Sequence, residues 1–402
     1  MLNWVERFNI FCFLDNHCYK SDGHQYEWLL AAGAHTVLNG DHSSLSDIDS
    51  FLSKKDWVFG HLSYDLKNRL FSGLTEKADT IGFPLFFFFQ PQIIISLKDG
   101  LLQIEADDPG AIYTSISAQT QESPVKTAIP VQSGLSFEEY IQTIQALQAH
   151  IRRGDCYEIN FCVAFSATAA RIDPVAVYQD LVRVSPTPFS CFYKVEDSYL
   201  LCASPERFLQ KRGQQLIAQP MKGTAKRNLR SAEQDQQVME TLKASPKEQS
   251  ENVMIVDLMR NDLSKIGEDG SVKVTELFGV QSFPQVHQLV SSVECTLRKE
   301  ILFSGIIKAC FPMGSMTGAP KKRVLELIDQ YETEARGIFS GSVGYFHKEN
   351  FDFNVVIRSI LYNRQSENLS YKVGSGITIY SDPQLEWEEC LLKAAAIKKV
   401  LT

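Results

Sequence analysis

The chain has 402 residues, of which 44% are hydrophobic and 22% charged, with a formal net charge of −8. That length exceeds a usual single core, and the composition is that of an ordinary globular protein. An acidic chain with no basic run excludes a nucleic-acid surface, and no apolar stretch approaches the roughly 20 residues of a membrane span.

In chain order, Met1–Arg7 lacks the charged-then-apolar layout of a secretory signal. The nine cysteines are scattered, odd in number and without a Cys-x-x-Cys pair. They argue against a disulfide framework or a zinc site and suit a reducing, cytoplasmic setting. Short apolar runs such as Trp57–Phe59 and Leu85–Phe89, the latter running on toward Ile95, are broken by Gly and Pro and predict a mostly β N-terminal part. From Ala106 to Ser136 the sequence is polar with no sustained apolar period, which predicts a linker. The expected division is residues 1–133, mostly β with the linker, and 134–402, a catalytic domain.

Ser136 and Glu139 form a capping box ahead of an apolar stripe at Tyr140, Ile144, Leu147 and Ile151, and Gly154 ends that helix. Asp173-Pro174 starts a second. Strands are predicted at Phe189–Val195, Tyr199–Ala203, Gln215–Ala218, Val272–Val274, Ser340–Phe346, Phe353–Tyr362 and Ser370–Val373, with helices between. Mixed order with few βαβ units predicts an α+β fold.

Lys222 lies in Pro220-Met-Lys-Gly-Thr224, read as a tight turn, and Glu206 lies in Ser204-Pro-Glu-Arg-Phe208. A primary amine and a carboxyl group are the parts of a nucleophile and a general acid, although a turn lysine is also a common solvated charge. Ser245-Pro246 and Asp382-Pro383 each start a helix carrying an E-x-x-E pair, Glu248 with Glu251 and Glu386 with Glu389. At i,i+3 each pair shares a helix face, and two such faces together would want a cation, with all-oxygen ligation suiting Mg²⁺ better than Zn²⁺. Glu248 and Glu386 also have capping or helix-dipole readings, whereas Glu251 and Glu389 lie deeper in their helices.

Gly374 and Gly376 would let backbone N–H groups approach an anion. Arg358 interrupts an apolar strand and would pair with Asp352 or hold a substrate carboxylate. Tyr345 and Lys393 are further candidates that a buried tyrosine and an i,i+4 salt bridge also explain, and His287 sits on an apolar strand as a core histidine or a substrate contact.

Taken together, Gly154-Asp-Cys-Tyr-Glu-Ile-Asn160, Ser204–Phe208, Pro220–Thr224, Ser250–Leu263, Met316-Thr-Gly-Ala-Pro-Lys321, Phe351–Arg358, Gly374–Ile377 and Glu386-Trp-Glu-Glu389 resemble the chorismate-utilising enzymes. That family includes the first components of anthranilate and aminodeoxychorismate synthases and the isochorismate and salicylate synthases. The resemblance covers Leu135 to Thr402 and is loose before it. It implies two packed, mostly antiparallel β-sheets with helices on the outside. It also implies Mg²⁺ held by Glu251 and Glu389, with Glu248 and Glu386 close by through water. Chorismate's ring carboxylate would sit on the metal. Arg358, Tyr345 and the backbone at Gly374 and Gly376 would receive its enolpyruvyl carboxylate, supported by Thr317 and Lys393.

Within the family, Lys at 222 resembles the aminodeoxychorismate branch, and the water-activating lysine of isochorismate-type enzymes is replaced here by Glu158. The resemblance implies Lys222 as a covalent nucleophile and Glu206 as the acid. Ammonia would come from a separate glutamine amidotransferase subunit, since no Gly-x-Cys-x-Gly turn is visible, and with no C-terminal lyase domain visible the expected product is aminodeoxychorismate rather than 4-aminobenzoate. Anthranilate synthase component I and a non-catalytic chorismate-binding subunit are the alternatives. Phe13-Leu-Asp-Asn16 departs from the family's tryptophan-binding turn.

Overall fold

The structure is a computed structural model and describes residues 1–19, 23–119 and 128–402. Among the described residues, hydrogen bonds connect nineteen strands, and the pairings between them are antiparallel. Alternation decides the layering. In the strand Trp28–Asn39, Leu29 and Ala31 fall in one apolar cluster with Phe59, Phe88 and Phe353, whereas Leu30 and Ala32 fall in another with Phe11 and Phe192. Side chains alternate across a strand, so a strand buried on both faces reads as one continuous apolar run.

The second cluster is completed by Tyr140, Ile144 and Leu147 of the helix Phe137–Arg152, by Tyr178 and Leu181 of Pro174–Val184, and by Ala394 and Ile397 of Pro383–Leu401. These helices cover the outer face, giving the α+β arrangement the sequence predicts. Strands from the N-terminal third share the sheet with later ones: Ile10–Asp15 pairs with Phe189–Val195, and Trp57–Leu62 with Ser342–His347. Among the described residues no helix is long and apolar enough to cross a membrane.

The helix Phe137–Arg152 has its predicted cap: the Glu139 N–H donates to Ser136 Oγ at 3.2 Å, and the Ser136 N–H donates to the Glu139 carboxylate at 2.8 Å. Three local expectations change. The expected linker contains a helix, Pro109–Ser117, capped by Asp108, and its stretch 120–127 lies outside the described residues. Phe353–Tyr362 is two strands, Asn350–Asn354 and Ser359–Asn363, parted by a break in which Arg358 takes φ +50. Lys222 is not in a turn but on the strand Met221–Lys226. Gly223 follows it with φ +91, and the pairing with Val286–Thr296 shifts register between Met221 and Thr224. That is a glycine bulge, a device that re-aims a side chain without ending the strand.

Candidate active site

Two helices and three strand segments converge on a cavity of about 120 Å³. The helices Pro246–Ser264 and Pro383–Leu401 both begin with Pro in the first turn, capped by Ser245 and Asp382. Their N-terminal parts face the same chamber, with Glu248 and Glu386 in the first turns and Glu251 and Glu389 one turn further on, and all four line the cavity. Lys222, Glu206, Arg358, Gly374, Gly376 and Lys393 line it too. Residues far apart in sequence thus meet in one chamber.

Lys222 Nζ lies 2.5 Å from Glu158 Oε1, with side-chain exposures of 11% and 1%. Burial pulls the amine's pKa down, but the charges of Glu158, Glu251 and Glu389 outweigh it and leave the pKa above the usual lysine value. At neutral pH these carboxylates hold the amine as an ammonium. Gly376 makes room for this pair, because a Cβ there would collide with Lys222 Nζ and come within 2.6 Å of Glu158 Oε1. Gly374 and Gly376 sit inside the strand Asn368–Ile377, paired with Cys162 and Asn160, and not in an anion-binding turn. Their role visible here is clearance.

Glu206 is 3% exposed, and burial pushes its carboxyl up to about 7. Hydrogen bonds from Ser315 and the Met221 backbone, and the charges of Lys222 and Arg358, limit the rise. A carboxylic acid poised near neutrality suits general acid catalysis. Arg358 does not pair with Asp352, which is held bidentately by Arg207 at 2.9 and 3.0 Å. Arg358 lies in the cavity wall, its pKa lowered by burial to about 10 and supported by the charge of Glu206.

The four glutamates have the donor chemistry of a hard-cation site. Glu251 Oε1 is buried without a hydrogen-bond donor among the described residues, and burial lifts its carboxyl to about 7. Lys393 pairs with Glu389 at 2.7 Å and pulls that carboxyl's pKa down. Lys247 Nζ stands between the two helices, 3.6 Å from Glu386 and 3.9 Å from Glu251. Among the described residues no three side chains are drawn tightly enough around one point to hold a metal as they stand. The donor set fits a cation, with lysines filling the charge balance.

A pH signature follows from Glu206 and Glu251. Their folded pKa of about 7 exceeds the ordinary 4.5, so the folded chain binds more protons between those values. The associated stability is present below pH 4.5 and is lost as pH rises through 7, on the order of 3 kcal/mol for each group at most. Thermal melts of metal-free protein should show Tm falling over that window, and Mg²⁺ should restore part of it at pH 8 by favouring the Glu251 anion. A Tm that is flat with pH and indifferent to Mg²⁺ would contradict this.

Three sequence candidates lie outside the chamber. Tyr345 packs on Trp57 and Phe59, with ring centroids 6.0 and 5.9 Å away, and lines a separate cavity of about 50 Å³ with Asp352 and Asn354. His287 is bound between Ser282 Oγ at 2.7 Å and Asp235 Oδ1 at 3.1 Å, away from the chamber. Thr317 is fully buried and donates to the Met313 carbonyl at 3.0 Å, bracing the turn that presents Ser315 and Met316 to the cavity. Sequence reasoning missed Ser315, Lys247, Lys372 and Gln288 as cavity residues. Gln288 follows His287 on the strand, and because His287 is turned away from the chamber toward Asp235, alternation presents Gln288 to it.

A profile for chorismate binding enzymes matches residues 17–399. Aminodeoxychorismate synthase component 1 of Klebsiella aerogenes is 39% identical over 355 residues, covering 85% of this chain and 76% of that protein. A probable chloroplastic aminodeoxychorismate synthase of Oryza sativa is 41% identical over 270 residues, covering 66% of this chain and only 30% of that longer protein. Anthranilate synthase component I of Streptococcus pneumoniae superposes with a TM-score of 0.83 at 23% identity, over 94% of this chain and 93% of that one, a likeness of fold.

Proposed function

The chain belongs to the chorismate binding enzymes, and from that premise we propose that it aminates chorismate to 4-amino-4-deoxychorismate, as an aminodeoxychorismate synthase component 1. The observation that carries this reading is the meeting of Lys222 and Glu206 in one buried chamber beside four glutamates. The names and identities of the relatives support it.

Magnesium is the cation we assign to Glu251 and Glu389, with Glu248 and Glu386 nearby, and when bound it would withdraw electrons from the substrate ring through the ring carboxylate. Arg358 would hold the other carboxylate. Lys222 gives a proton to Glu158, its 2.5 Å neighbour, and the free amine attacks C2. The ring double bonds shift, and the C4 hydroxyl leaves as water with the proton of Glu206. Ammonia then attacks C4, the C2–N bond breaks with its electron pair returning to Lys222, and the new C4 ammonium yields a proton to Glu206. Glu158 finally returns its proton to Lys222. Covalent catalysis divides one hard displacement into two easier ones.

The ammonia source in this reading is a separate glutamine amidotransferase subunit, supported by the word "component" in the relatives' names. Nine free cysteines agree with a cytoplasmic setting. Incubation with chorismate, Mg²⁺ and an ammonium salt tests the proposal. Aminodeoxychorismate is the expected product by mass spectrometry, and anthranilate fluorescence would assign the chain to the sister reaction.

A further inference from the structure

We propose that Gln288 is the binding point for the ammonia that attacks the substrate, an inference that rests on the amination reading above. Gln288 lies on the strand Val286–Thr296, opposite Thr224, and both residues line the chamber that holds Lys222. It is 7% exposed. Its Nε2 donates to Thr224 Oγ1 at 3.2 Å, which fixes the amide. Its Oε1 is buried, and no donor among the described residues reaches it. A buried carbonyl without a donor is unfavourable unless a ligand supplies one.

The chemistry of the two substrates decides which ligand. Chorismate offers two carboxylates and an enol ether, all acceptors, and its one hydroxyl is engaged by Glu206 as a leaving group. Ammonia carries three N–H donors. The chamber's other acceptors are mostly carboxylates, which favour ammonium, a species with no lone pair. A neutral amide carbonyl accepts one N–H of ammonia without favouring its protonation, so the nitrogen keeps the pair it needs for C4. During the attack that pair forms the C4–N bond, the Lys222–C2 bond electrons return to Lys222, and the added nitrogen's extra proton passes to Glu206.

Glu158, by contrast, already has the Lys222 ammonium, and His287 is consumed by Ser282 and Asp235. Gln288 Oε1 is therefore an uncharged, buried acceptor on a residue of the cavity wall, and no donor among the described residues reaches it.

The test separates ammonia from chorismate. In Gln288→Met, the KM for ammonia should rise about tenfold, the worth of one hydrogen bond, while the KM for chorismate stays within about twofold. Thr224→Val, which frees the amide but keeps its carbonyl, should show the same split at about threefold and covers the case in which Gln288→Met does not fold. Without ammonium, both variants should form the Lys222 adduct at the parental rate, then lose it more slowly when ammonium is added. An unchanged ammonia KM in the folded variants, or both KM values rising together, would overturn the proposal. If the parent forms no adduct yet the KM split is observed, the Lys222 step falls and the Gln288 site stands.

Discussion

Lys222→Ala should lower ammonium-dependent amination of chorismate by at least about 10²-fold, as expected when a covalent nucleophile is removed. Chorismate binding should persist, because Arg358 and the glutamates remain in the chamber. The variant should also be less stable. It leaves the Glu158 carboxylate, 1% exposed, without its counter-charge, and breaking a buried pair costs about 3–5 kcal/mol. A second replacement, Glu158→Gln, removes that stranded charge. The double variant should regain most of the melting temperature and none of the activity. Activity returning with stability would show that Lys222 is only half of a structural ion pair.

Glu206→Gln should lower turnover by about 10²–10⁴-fold, the range for a positioned general acid. Its pH profile is the sharper readout. The acid must carry a proton to release the hydroxyl, and burial places its carboxyl at about 7, so parental activity should fall as pH rises past that value. An amide has no such proton to lose, and the alkaline fall should vanish from the residual rate. The melting temperature should then also lose part of its decline as pH rises through 7, since the substituted side chain stays neutral throughout. An alkaline fall that persists in Glu206→Gln would assign that titration to another group.

Much of this was legible because the relevant signals are local. Ser136 with Glu139, Asp173 with Pro174, Ser245 with Pro246 and Asp382 with Pro383 each mark a helix start within a few residues, and each cap is present. Helix period then places the E-x-x-E pairs on common faces. The same Asp-Pro signal at Asp108-Pro109 marks the helix that polar composition disguised as a linker. What was not legible depends on tertiary approach. Lys222 read as a turn because Pro220 and Gly223 flank it, and only pairing with Val286–Thr296 turns that glycine into a strand bulge. The Glu158 partner comes from a strand far earlier in the chain, and no periodicity connects the two. Tyr345 and His287 have the right chemistry for a site, but strand alternation turns one toward Trp57 and the other toward Asp235. Arg358 is ambiguous in sequence for the same reason, and it is the Arg207–Asp352 pair that leaves it to the chamber.

The central claim is that the Lys222 amine bonds to the substrate ring. Mixing the protein with chorismate and Mg²⁺ in the absence of ammonium, then quenching and measuring intact and peptide masses, addresses it directly. The expected result is an increment equal to chorismate less one water on the peptide containing Lys222, discharged when ammonium is added. A preparation that aminates chorismate at full rate yet never shows that increment would contradict it.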